Sequence, residues 1–166
     1  MSVRGVLQIH SAPPALCPHI EWAAAGILGV HVSLPWVSQP AAPGSLRAEL
    51  SWQGRAGTAG GIVSALSGWN RLRFEMTEEA SPGCDAVRYS YTPELGTFSA
   101  VTGANGDIMI PESRLRAAMT VAAAAASRGS LEDELARLLG EPWDDELEPF
   151  RCAAEGAPVR WLHATG

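Results

Sequence analysis

The succession of periodic segments over residues 3–77 most restricts what this chain can fold into. Val3 to His10 gathers Val, Leu and Ile and reads as a strand. Pro13, Pro14 and Pro18 stop it. Proline is tolerated in the first turn of a helix, so a helix starts near Leu16 and runs to Gly29, with Ile20, Ala23, Ala24 and Ile27 on one face. Val30 to Val37 reads as a second strand. After the turn at residues 39–45, Leu46 to Gln53 is a third, alternating Leu46, Ala48, Leu50 and Trp52. The glycine-rich connection Gly54–Gly61 leads to a helix over Ile62–Trp69, and Leu72 to Met76 is the fourth strand. The order β-α-β-β-α-β is that of the split βαβ, ferredoxin-like motif. It predicts four antiparallel-paired strands with both helices on one face.

The rest of the chain reads differently. Asp85–Tyr91, Gly96–Thr102 and Asp107–Ile110 form a β-meander, with Asn105-Gly106 as a strong hairpin signal. Pro111 opens a helix to about residue 127. Leu131–Leu139 is a helix capped by Ser130 and ended by Gly140. Asp144–Cys152 is a third short helix, and Val159–His163 a closing strand. The expectation is a single α+β domain over residues 1–166: a ferredoxin-like core (1–77) extended by a meander and a helical C-terminal segment (78–166). The chain is long enough to bury a substantial core.

Charge excludes some functions. All twelve basic residues are arginine, and the net charge is −6. Residues 1–75 hold five arginines and three acids; residues 76–166 hold seven and fifteen. An acidic chain without a basic run is a poor nucleic-acid binder, since phosphate contacts need clustered cations. Three distant cysteines without a CxxC pair argue against a disulfide framework or a cysteine-rich zinc site. No apolar run is long enough to span a bilayer, and the N-terminus lacks the pattern of a signal peptide. A soluble cytoplasmic protein is expected.

Four groups of residues carry chemistry. His10, Cys17, His19 and Glu21 share one strand-to-helix turn. A thiol at a helix N-terminus can be activated by an imidazole, and the set could hold zinc with an open position. The plainer alternative is a helix start with a buried, inert cysteine and a surface histidine. Gly54–Gly61 precedes a helix and could cradle an anion, although it matches neither a P-loop nor a dinucleotide fingerprint; a mobile loop is the bland reading. Arg71 and Arg73, read as one strand face, and Arg114 and Arg116, at a helix start, could clamp a phosphate or carboxylate; pairing with nearby acids is the expected outcome. The acidic run over residues 139–151 lacks the alternation of a calcium loop. It reads as an amphipathic helix with Trp143, Leu147 and Phe150 inward and its acids outward, free to meet an arginine-bearing partner.

Residues 10–13 and 17–22, Leu72-Arg-Phe-Glu-Met-Thr-Glu78, Ala104-Asn-Gly-Asp-Ile-Met-Ile110 and Trp143-Asp-Asp-Glu-Leu-Glu-Pro-Phe-Arg151 together resemble a family of small actinobacterial proteins, classed as a domain of unknown function (family number 3145). The resemblance covers nearly the whole chain. It implies a cytoplasmic location and, from gene neighbourhood, a link to fatty-acid or lipid metabolism. It supplies no catalytic residues. The reading favoured is a non-enzymatic binding or regulatory protein with a protein partner, without cofactor or metal, contacting neither nucleic acid nor membrane, with homo-oligomerisation left open. The alternative is a small enzyme built on Cys17 with a histidine, or on a metal near His10, Cys17, His19 and Glu21.

Overall fold

The computed structural model describes residues 2–124 and 130–153. Its elements are β1 (Ser2–Ala12), α1 (Cys17–Leu28), β2 (Val37–Ser38), β3 (Leu46–Arg55), α2 (Thr58–Leu66), β4 (Arg73–Glu78), β5 (Ala86–Thr92), β6 (Gly96–Thr102), β7 (Ile108–Met109), α3 (Glu112–Ala124), α4 (Leu131–Leu139) and α5 (Glu141–Cys152). All seven strands join one antiparallel sheet in the order β2-β3-β1-β4-β5-β6-β7. The fold class is α+β. Val3–His10 and Leu46–Gln53 lie side by side, as the pattern predicts, and the meander continues the same sheet.

Strand alternation divides the sheet into two faces. Leu7 and Ile9 of β1, Ala48 and Trp52 of β3, Phe74 and Met76 of β4 and Tyr91 of β5 form a core with Ile20 and Ala24 of α1 and Ile62, Val63 and Leu66 of α2. Phe74 stacks on Tyr91 at 5.1 Å. Gly5 is required here, because a Cβ would run into the Thr77 carbonyl and the Trp52 ring. On the second face, α5 packs against β1 and β5. Leu147 is fully buried, the Trp143 ring meets Phe98 at 5.2 Å, and its Nε1 donates to the Gly96 carbonyl at 2.9 Å.

Several boundaries depart from the sequence pattern for identifiable reasons. The expected strand Val30–Val37 shrinks to a two-residue pairing at Val37–Ser38. Val32 and Leu34 turn into the core, while the Leu34 N–H and the Trp36 indole N–H are bound by Glu21 instead of by a neighbouring strand. Gly54–Gly61 is not a loop: β3 runs to Arg55 and α2 starts at Thr58. That helix ends at Leu66, so Trp69 lies in the following turn. The helix from Pro111 is described as far as Ala124. The last helix starts earlier than expected, at Glu141, with Pro142 in its first turn. The strand expected over Val159–His163 lies outside the described residues. No helix among the described residues is long and apolar enough to cross a membrane.

Candidate functional site

The strand-to-helix turn does not assemble a reactive set. Cys17, the first residue of α1, is buried, and its thiol donates to the Pro13 carbonyl at 3.6 Å. Burial and the Glu21 charge push its pKa up, the opposite of an activated nucleophile. His19 is exposed, edge-on to Trp22 at 5.4 Å. Glu21 accepts from Leu34 N at 2.8 Å and from Trp36 Nε1 at 3.0 Å, so it anchors the loop after α1. The His10 ring is committed elsewhere, to Glu75 at 2.7 Å. No group of three His, Cys, Asp or Glu residues with metal-site geometry occurs among the described residues. All three cysteines are free.

The Gly54–Gly61 segment does use its backbone donors to hold an anion, but one supplied by the chain. The Glu78 carboxylate accepts from Gly57 N at 2.7 Å and Ala59 N at 2.8 Å and caps α2. The four arginines do not converge on a clamp. Arg71 is not on a strand; it sits in the turn before β4 with φ 69°. Arg73 Nε donates to Glu146 Oε1 at 3.1 Å, and its guanidinium lies 4.9 Å from the centre of the Phe150 ring. Arg116 pairs with Glu112 one turn away, and Arg114 reaches the Ser99 carbonyl at 3.4 Å.

The densest chemistry lies on the second face, under α5. Alternation sends Phe74 and Met76 to the core, and Glu75 to the other side, where it is 2% exposed. Its two oxygens are met by five donors. Arg151 binds side-on, Nε to Oε2 at 2.9 Å and Nη2 to Oε1 at 2.6 Å. Oε2 also meets His10 Nε2 at 2.7 Å; an ionised carboxylate only accepts, so the imidazole donates from that nitrogen. Arg88 Nη2 and Ser90 Oγ approach Oε1 at 3.4 Å. Asp144 closes the cluster by accepting from Arg88 Nη2 and, at 2.8 Å, from Arg151 Nη2. Two carboxylates and two guanidiniums therefore cancel in charge. Buried Gln39 ties the neighbouring backbone, donating to the His10 and Phe150 carbonyls at 2.7 and 3.2 Å. Arg88 Nε finds no partner among the described residues.

Burial by itself would favour protonated Glu75. The hydrogen bonds from His10 and Arg151, with their charge, outweigh it and hold the carboxyl far below the usual range. Burial likewise works against charge on Arg151, and its bonds to Glu75 and Asp144 outweigh that, raising its pKa. A carboxylate so fully occupied has no lone pair left for a metal or substrate. Three acids of α5 thus face inward partners: Asp144 meets Arg88 and Arg151, Glu146 meets Arg73, and Glu148 meets Arg151 at 3.4 Å. The outward acidic face expected of this helix keeps exposed Glu141 and Asp145, with Glu148 partly open to solvent beside its bond to Arg151. Arg88 and Gln39 were not singled out by sequence, and Glu75 entered only as one of the acids near Arg71 and Arg73, because nothing local marks them as buried.

Sheet and cluster define a class: an α+β protein whose helix α5 is locked to an antiparallel sheet by a buried ion-pair cluster. A family model described as "Protein of unknown function (DUF3145)" matches residues 6–164, and the chain belongs to that family. No curated protein and no solved structure matches it.

Two outcomes follow. A carboxyl whose pKa is lowered by folding stabilises fully above its unfolded value, about 4.3, and that stability is lost as pH falls below it. Glu75→Gln should cost roughly 3–5 kcal/mol at pH 7, since it leaves buried cations short of charge. The gap between wild type and variant in urea unfolding should narrow from pH 7 to pH 3; a gap independent of pH would contradict the assignment. In a Cys84→Ser/Cys152→Ser background, Cys17 should react with iodoacetamide only above roughly pH 8.5 or on unfolding. Rapid labelling of the folded protein at pH 7 would restore the thiol reading.

Proposed function

We propose that this protein is a non-enzymatic binding or regulatory protein that engages a protein partner through α3 and α4. The observation that carries the reading is how little α3 buries. Of its thirteen residues, Ala118 alone is buried, while Leu115, Met119 and Val121 are exposed. Isolated helices of this length are marginal in water, and most draw stability from packing an apolar face. Leu115 and Met119 are one turn apart and share a face. Exposed Leu131 and Leu139 of α4, which packs on α3, and Met109 of β7 add to the apolar surface. Apolar surface of this kind marks interaction sites, and methionine adapts to a partner's shape. Acids in the first turn of α4, Glu132, Asp133 and Glu134, suit a partner carrying arginine or lysine.

The internal commitments of Cys17, His10, Glu21 and Glu75 favour binding over catalysis. A cytoplasmic location and a link to lipid metabolism belong to the same proposal, and their support is the family resemblance. We also read the first half as a ferredoxin-like unit, supported by the antiparallel order β2-β3-β1-β4 with α1 and α2 on one face.

Capture from an actinobacterial lysate, with wild type and Met119→Glu as parallel baits, tests the reading. A protein retained by wild type should be lost from the variant, whose stability should change by no more than about 0.5 kcal/mol, as for other surface substitutions. Identical capture profiles would contradict it.

A further inference from the structure

The opposite side of the sheet carries a surface of another kind. Between Arg4 and Arg47 the chain has one charged residue, Glu21, and between Arg55 and Arg71 it has none. These stretches supply α1, the loop after it and α2, the layer that covers this face. Glu21 is spent on Leu34 N and Trp36 Nε1. Glu78, which reaches this side from β4, is buried as the cap of α2. The layer nevertheless exposes large apolar side chains: Trp22 at 71%, Val30 at 61% and Ile27 at 45%. Beside Trp22, His19 joins Leu16, Trp69 and Asn70 around an open hollow of about 390 Å³.

We propose that this face is the contact between two copies of the chain related by a twofold axis, with Trp22 of each seated in the hollow of the other. A twofold contact sets a patch against itself, so the patch must be self-complementary: any charge on it needs an opposite charge across the axis, and one near the axis meets its like. An apolar patch meets that condition without matched charges; exposed Arg71, next to Asn70, lies at its border. The acid-rich α5 lies across the sheet, so pairing through the neutral face keeps the like charges of the two copies apart. Interface centres are depleted of charge and anchored by tryptophan in pockets. The absence of arginine from this layer disfavours an anionic bilayer or nucleic acid as the occupant.

Sedimentation velocity of the full chain across roughly 1–100 μM, which brackets a micromolar Kd, tests the proposal. Wild type should pass from monomer to dimer. Trp22→Glu and Gly26→Arg should each raise the Kd at least tenfold. Gly26 is an exposed residue of α1, and a Cβ there meets nothing within 4 Å, so its substitution leaves the monomer intact. A thermal melt of each variant at 1 μM, matching wild type, verifies the fold. Met119→Glu should dimerise as wild type does, so this surface and that of α3 stand or fall separately. A wild type monomeric throughout, or variants that dimerise normally, would overturn the proposal. So would a monomer that binds phosphatidylcholine vesicles through Trp22, which would give the face to a lipid surface.

Discussion

The Glu75 carboxylate, bound side-on by Arg151 beneath α5, sets how the second face of the sheet is covered. Removing charges from water is expensive, and their attraction offsets that cost only when geometry is good and every remaining donor and acceptor is met. That condition is met for Glu75, with Arg88 Nε the one buried donor of the cluster left without a partner among the described residues. Arg151 must reach Glu75 while Asp144, two turns earlier, reaches Arg88. Leu147 lies between them on the same helix face and fills the apolar gap. A shift of α5 by one residue would rotate both charged groups away and strand Glu75 and Arg88.

The two faces of the sheet are thus built on different physics. One is covered by α1 and α2 through apolar packing, and the few carboxylates there are used to cap α2 and to hold the loop after α1. The other is covered by α5 through matched charge. Strand β4 serves both, sending Phe74 and Met76 one way and Glu75 the other. Groups that resemble catalytic equipment in the sequence are consumed by this construction. Among the described residues, the surface keeps exposed leucine and methionine on α3 and α4, and Trp22 beside His19 on α1.

Much of the fold was legible from local patterning. Strands β1, β3 and β6 and helices α1 and α4 follow from apolar alternation, prolines, and caps such as Ser130 and Gly140, whose signals are contained in a few neighbouring residues. The strand expected at Val30–Val37 failed because a remote carboxylate, Glu21, took over donors that a strand would need. The helix start at Thr58 was hidden for the same reason: its cap, Glu78, is 20 residues away in sequence and arrives only with β4. His10 was rightly marked as notable, but its partner is Glu75, 65 residues on, and not Cys17. The charge of Arg151 was visible among the acids of its helix. That it is buried depends on the sheet it meets, which no local pattern encodes.

The central claim is that Glu75 and Arg151 act as one unit joining α5 to the sheet. A double-mutant cycle with Glu75→Gln, Arg151→Met and their combination, read by urea unfolding at pH 7, tests it most directly. Neighbouring groups in one network couple by about 0.5–3 kcal/mol, and a bidentate buried pair belongs at the upper end. The account predicts that each single substitution is costly, and that the double variant is less destabilised than their sum by about 2 kcal/mol or more. Additive effects, within about 0.5 kcal/mol, would contradict it and leave apolar packing as what holds the helix in place.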